Sequence, residues 1–349
     1  MKDPVADNGV RALYGRILEA RNARDASAMA SCFEPQGNMV GFDGSQVDSR
    51  AEIERHLKPV FASHRAQPLN ESGLKGEGMG DKEFSLKGEV ALVTGSGRGL
   101  GHAIASRLAE LGADVAIHDQ QTAAPAEFGE FPSLDASLDA VARHGTKTCA
   151  VTGNIADEAT VAALAREVES RLGPISILVN AAGGDIGARG GKPNPNDALH
   201  IKLEDIRALL DRNLIGTMLM CQAVVTGMVA RRHGAVVNIA SAAGHFGTSP
   251  EVAYSTIKAA IVHYTRCLAF ETRRHHVRVN CVSPGATATA RFLKTRTIDP
   301  AMMVDDGTLE RYGAPRDQAN AVAFLCSPAA KFIHGQVLRV DGGLTLYAS

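Results

Sequence analysis

From Leu86 onward the sequence predicts an α/β fold, a doubly wound parallel sheet with helices on both faces. Two observations carry that expectation. Short, nearly continuous apolar runs rich in β-branched residues alternate with amphipathic helical stretches, and the first run ends in a glycine-rich turn. Strands of this kind are expected where both faces of a parallel sheet are covered. In order, EVALVTG reads as a strand, GHAIASRLAELG as an amphipathic helix and DVAIHD as the next strand. TCAVTGNI precedes the helix DEATVAALAREVESRLG and the strand ISILVNAAG. A long helix follows from about Leu203 to Ala230, then the strand AVVNIAS, a helix from Tyr254 to about Arg274, the strand VRVNCVSPG and a last strand QVLRVDGG.

The composition suits this reading. Of 349 residues 45% are apolar, enough for a sizeable core, and 21% are charged, too few for a chain disordered throughout. The net charge of −1 supplies no global field toward nucleic acid or an anionic membrane, so neither is expected as a partner. Six cysteines are scattered without a CxxC pair, which points away from a zinc site or redox dithiol and toward buried thiols in a reducing compartment. MKDPVADNGV lacks the apolar core of a secretory signal, and no run of eighteen apolar residues occurs, so a cytoplasmic protein without bound metal is expected.

Residues 8–65 differ in pattern. Val10, Leu13, Tyr14, Ile17 and Leu18, then Met29 and Phe33, then Ile53, Leu57 and Phe61 recur at helical spacing, with NMVGFDG between as a short strand and turn. Residues 66–85 are polar, rich in Gly and without periodicity, and read as a linker to a main domain over 86–349.

The turn after the first strand of that domain runs Gly95-Ser96-Gly97-Arg98-Gly99-Leu100-Gly101 and opens a helix. Glycine lets backbone approach a pyrophosphate, and a helix N-terminus offers free N–H groups and a positive dipole end. Asp119 ends the next strand, where a carboxylate accepts hydrogen bonds from ribose hydroxyls and repels a 2′-phosphate. NAD is therefore expected over NADP, although Arg98 in the turn could also pair with a 2′-phosphate.

TGSGRGLG, NAAG at 180–183, Ser241 followed by Tyr254-x-x-x-Lys258, and SPG at 283–285 together resemble the short-chain dehydrogenase/reductase family over about residues 84–346. The resemblance implies a Rossmann-like single domain with about seven strands, a homodimer or homotetramer, and hydride exchange between a nicotinamide and a secondary alcohol or ketone. Tyr254 and Lys258 project from one helix face. A phenol is a poor base at neutral pH, and an adjacent ammonium favours the phenolate, which makes Tyr254 the expected acid/base. Ser241 is placed to hold the substrate oxygen. By resemblance Asn213 completes the set and places a water linking Lys258 to solvent. The same carry-over assigns cofactor contacts to Gly95, Arg98, Gly99, Leu100, Gly101, Asp119, Asn154, Ile155, Asn180, Ala181, Gly183, Tyr254, Lys258, Pro284, Gly285, Thr287 and Thr289. Two positions depart from the family's usual residues: Ala181 stands where a second Asn is common, and Asn154 where Asp accepts from adenine. A competing expectation is a nucleotide-sensing regulatory or structural protein without turnover, which would be expected to lose Tyr254 or Lys258.

The substrate rim is expected at the carboxyl ends of the strands. The long loop GDIGARGGKPNPNDALHI, the residues after Ser241 including His245 and Phe246, and the segment Ala288–Arg311 would form it. Arg189 and Lys192 in the loop hint at an anionic substrate or are solubilising charges, and Arg291 and Arg296 are further cations there. Residues 8–65 resemble the opening half of an NTF2-like fold but leave no sequence for its closing sheet, so no catalytic role is expected of them.

Overall fold

The computed structural model describes residues 13, 15–17, 19–36, 38–40, 46–63, 79–304 and 307–346. They fall into two units, Met1–Met79 and Gly80–Ser349. In the first, a helix α1, described at 15–17 and 19–23, precedes α2 (Ala26–Ser31), whose Asp25 cap accepts from the N–H groups of Ser27 and Ala28. Strand β1 (Asn38–Val40) pairs antiparallel with β2 (Gln46–Asp48), and α3 (Arg50–Ser63) follows. Ala26, Ala30, Val47, Ile53 and Leu57 form a small core with Met29, Phe33 and Phe61 against it. The strand expected at NMVGFDG is present as β1; its partner β2 was not expected. Val10, Tyr14 and Leu18 of the first helical pattern lie outside the described residues.

Within the stretch read as a linker, α4 (Met79–Phe84) forms instead. Phe84 meets the Phe324 ring at 6.2 Å, and Leu86 is buried directly after it. These apolar contacts are long-range, which is why local composition did not reveal the helix.

The second unit alternates strand and helix: β3 (Val90–Thr94), α5 (Gly99–Glu110), β4 (Asp114–Asp119), α6 (Leu134–Ala142), β5 (Thr148–Thr152), α7 (Glu158–Leu172) and β6 (Ile177–Asn180). Next come α8 (Leu203–Leu210), α9 (Gly216–Arg231), β7 (Gly234–Ile239), α10 (Val252–Thr272), β8 (Val277–Pro284), α11 (Ala290–Thr295), α12 (Pro315–Cys326) and β9 (Val337–Val340). The seven strands lie in the order β5-β4-β3-β6-β7-β8-β9, all parallel. Alternate side chains of β3 serve opposite faces. Ala91 and Val93 join the core under α5 and α12, while Val90 and Leu92 join the one under α7 and α9. The chain winds outward in opposite directions from β3 and β6, so the loops leaving those adjacent strands diverge and open a crevice at their carboxyl ends.

A turn of π-helix, Asp211–Ile215, joins α8 to α9. The combined stretch Leu203–Arg231 is long and apolar enough by composition to cross a membrane. Here Met220, Cys221, Val224, Val225 and Met228 of it are buried in the sheet core.

Candidate active site

The crevice is a cavity of about 650 Å³, within the range of small-molecule and cofactor sites. Its floor is built from β3. Thr94 Oγ1 accepts from the N–H groups of Ala181 and Ala182, both at 3.1 Å, which clamps the end of β3 to the NAAG turn after β6. Gly95 (φ +63°) permits this approach, since a Cβ there would lie 2.6 Å from Ala182 Cα. A Cβ on Gly101 would lie 2.8 Å from Ser96 Cα, so the first turn of α5 can pack on the loop only as glycine. His118 braces the cradle from β4: its Nδ1 accepts from Gly95 N–H at 3.3 Å and its Nε2 donates to Gly153 O at 3.1 Å. Burial lowers its pKa, which keeps it the neutral ring that this pairing requires.

Arg98 leaves the loop to pair with Glu127 at 2.6 Å, its Cζ 4.4 Å from the centre of the Phe128 ring. Glu130 Oε2 accepts from the Gly99 N–H at 2.8 Å, so the first turn of α5 is capped by a carboxylate from the segment after β4. Arg98 Nη1, Arg212 Nε and Glu130 Oε1 are buried without a hydrogen-bond partner. Two unsatisfied guanidinium nitrogens beside a glycine cradle fit a dinucleotide, whose phosphates and ribose hydroxyls would accept from them.

The residues expected to be catalytic, Ser241, Tyr254 and Lys258, line the same cavity. Ser241 follows β7 and Tyr254 lies on α10, with the serine hydroxyl close enough to the phenol to lower its pKa. Lys258 lies one turn on, its Nζ donating to Ile239 O at 2.9 Å and standing 5.6 Å from the centre of the Tyr254 ring. Burial lowers the Lys258 pKa to about 8, helped by the charge of Arg291. Burial raises Tyr254, opposed by the Ser241 hydroxyl and by the charge of Arg291.

Asn213 sits in the π-turn, a distortion often found at functional sites. Its amide is spent on the main chain: Oδ1 accepts from Gly184 N–H at 2.9 Å, and Nδ2 donates to Gly184 O at 3.1 Å and Leu209 O at 2.9 Å. A Cβ on Gly183 would lie 2.5 Å from Asn213 Oδ1 and 3.4 Å from Lys258 Nζ, so the turn passes between the two side chains as bare backbone.

Of the residues expected at the cofactor, all but Asn180 line the cavity, as do Ser241, Tyr254 and Lys258. Asn180 points into the sheet, donating to Asn238 Oδ1 at 2.9 Å and Cys221 Sγ at 3.3 Å. Its side chain is thus part of the core, and the NAAG turn contributes Ala181, Ala182 and Gly183 instead. His245 also turns away, pairing with Ser283 Oγ at 2.9 Å, while Phe246 lines the cavity.

The far wall held a residue that sequence reading missed. Glu251 caps α10 in a left-handed conformation (φ +84°), its N–H donating to Asn196 O at 3.0 Å. Its carboxylate takes Lys192 from the long loop at 2.7 Å and Arg296 from beyond α11 at 2.6 Å. Three segments far apart in sequence meet on this one acid, and no local motif signals it. Among the described residues no group of three or more His, Cys, Asp or Glu could hold a metal ion.

A doubly wound sheet with a glycine cradle and a Ser-Tyr-Lys group at one crevice defines a nicotinamide-dependent oxidoreductase that moves hydride between alcohol and ketone. The chain belongs to the short-chain dehydrogenase/reductase family: a family model described as Enoyl-(Acyl carrier protein) reductase matches residues 95–345. The cyclohexanol dehydrogenase of Rhodococcus sp. is 34% identical over 266 residues, covering 74% of this chain and 97% of that protein. A 3-oxoacyl-acyl-carrier-protein reductase of Synechocystis is 33% identical over 264 residues, covering 75% and 99%. Among solved structures, a 7α-hydroxysteroid dehydrogenase complexed with NADH and 7-oxo glycochenodeoxycholic acid superposes with a TM-score of 0.65 at 31% identity, over 75% of this chain and 96% of that one.

Proposed function

We propose that this chain oxidises a secondary alcohol, or reduces the matching ketone, with Tyr254 as acid/base and NAD as the preferred cofactor. The observation that carries the reading is that Ser241, Tyr254 and Lys258 line one cavity together with the glycine cradle, with Lys258 Nζ 5.6 Å from the Tyr254 ring centre. A nicotinamide bound in the cradle supplies or accepts the hydride. In reduction Tyr254 donates its proton to the carbonyl oxygen, and in oxidation it takes the hydroxyl proton. Ser241 hydrogen-bonds that same oxygen and stabilises charge developing on it. Lys258, charged below about pH 8, favours the phenolate as it forms. Asn213 acts as a positioning residue, fixing Gly184 through both ends of its amide.

Asp119 at the rim of β4 supports NAD over NADP. Assembly as a homodimer or homotetramer is supported by the sheet edge at β9 and by Phe332 and Phe270, exposed at 100% and 76%. Free cysteines, four of them buried, favour the cytoplasm. The N-terminal unit is a partial NTF2-like module without chemistry of its own, a reading that rests on its helices, hairpin and small core.

The test follows the absorbance of reduced nicotinamide with NAD and NADP against secondary alcohols and ketones, with Tyr254→Phe beside the wild type. NAD-dependent turnover that drops at least about a hundredfold in the variant is expected. Tight NADH binding with no turnover on a broad panel would replace this reading with a nucleotide-sensing protein.

A further inference from the structure

Four cations surround the substrate end of the cavity, and the structure sorts them. Arg189 is 80% exposed and bridges to Glu204 at 3.4 Å, outside the cavity lining. Lys192 and Arg296 line the cavity, but both are engaged by Glu251. Arg291 is different: it lines the cavity, and its side chain forms no hydrogen bond or ion pair with any described residue. It is nevertheless closely seated. A Cβ on Gly184 (φ +135°) would lie 2.6 Å from Arg291 Nη2 and 2.8 Å from its Cζ, so the guanidinium rests on bare backbone. That backbone is itself fixed by the amide of Asn213. The charge of Arg291 is felt at the Tyr254 phenol, which sets it beside the reacting end of the cavity.

A guanidinium held in a partly desolvated place without a partner is costly, and a ligand anion is the group that offsets the cost. Glu251 already holds Lys192 and Arg296, so Arg291 is the cation of the three left to meet a ligand anion, with Asp185 and Glu251 nearby to disfavour excess negative charge. The planar fork of arginine also matches a carboxylate bidentately.

We propose that Arg291 receives a carboxylate carried by the substrate, so that the natural substrate is an oxo acid or hydroxy acid rather than a neutral alcohol. This rests on the alcohol–ketone reading above.

The probes are cyclohexanone and the same ring carrying a carboxylate opposite the carbonyl, reduced by the full chain with NADH. The wild type should show kcat/KM about 10- to 100-fold higher for the carboxylated ketone, the worth of one charge-assisted contact. Arg291→Gln should collapse that ratio toward one, and Arg291→Lys should keep part of it. A ratio near one in the wild type, or a ratio that survives in Arg291→Gln, overturns the proposal. So does an unchanged ratio with weakened NADH binding, because the arginine would then serve the dinucleotide. Calorimetric titration with cyclohexanecarboxylate separates the two readings. If neither ketone is reduced yet the carboxylate binds wild type and not Arg291→Gln, the hydride-transfer reading fails and the anion site stands. Equal binding to both proteins removes the site. Circular dichroism of each variant verifies folding.

Discussion

Burial moves Tyr254 and Lys258, one helical turn apart, in opposite directions: the phenol rises and the ammonium falls to about 8. Each is thereby favoured in its uncharged form. At neutral pH the phenol holds its proton, the form needed for ketone reduction, and Lys258 is still mostly charged. Reduction should therefore be level near neutrality and decline above about pH 8 as Lys258 deprotonates, whereas alcohol oxidation, which needs the phenolate, should climb with pH. Paired kcat profiles in the two directions from about pH 6 to about pH 10 check this. An oxidation rate that peaks below neutrality would contradict it. Tyr254 and Lys258 were legible in the sequence because a four-residue spacing puts them on one helix face, and Ser241 through the ordered set of motifs that resembles the family. The separate fates of Lys192, Arg296 and Arg291 were not, since all three are cations on irregular segments and only the fold brings Glu251 to two of them. Asn180 shows the converse, a motif residue whose side chain is turned into the core.

Among the elements, the segment between β4 and α6 is the one that ties the glycine cradle to α11. It carries Glu127 to Arg98 and Glu130 to the first turn of α5, and Lys294 from α11 donates to Phe128 O at 2.7 Å. Glu130 holds the N–H that a pyrophosphate would approach, and a carboxylate and a phosphate repel at such a distance. Dinucleotide binding must displace it. Glu130→Gln is expected to tighten NADH about two- to tenfold, read as quenching of NADH fluorescence in an equilibrium titration. Unchanged or weaker affinity would mean that the carboxylate does not compete. Strands and long amphipathic helices were readable from periodicity, the helices within a residue or two at their ends and three strands ending three residues early, at Thr152, Asn180 and Val340. Helices α4, α6, α11 and α12 were passed over. The first and third are six residues each, and the other two follow irregular loops whose folding depends on distant partners. One such partner is Glu110 on α5, which Arg316 of α12 meets at 2.7 Å.

For the whole molecule, every residue lining the cavity belongs to the second unit, from Gly95 to Leu344. The relatives that match about 265 residues are themselves covered at 97% and 99%, so an equivalent of this unit makes up nearly all of each. A chain of residues 80–349 is therefore expected to keep kcat within about threefold of full length, and to keep the same oligomer size by light scattering. Loss of turnover or dissociation to monomers would give the N-terminal unit a part in the assembly. The bridge centred on Glu251 has one more consequence. That acid opens the helix bearing Tyr254, and it is gripped by the loop over the substrate and by the segment beyond α11. The start of that helix and both flanks of the mouth thus share one anchor, and loosening any of these contacts loosens the seat of the Tyr254 helix together with the rim.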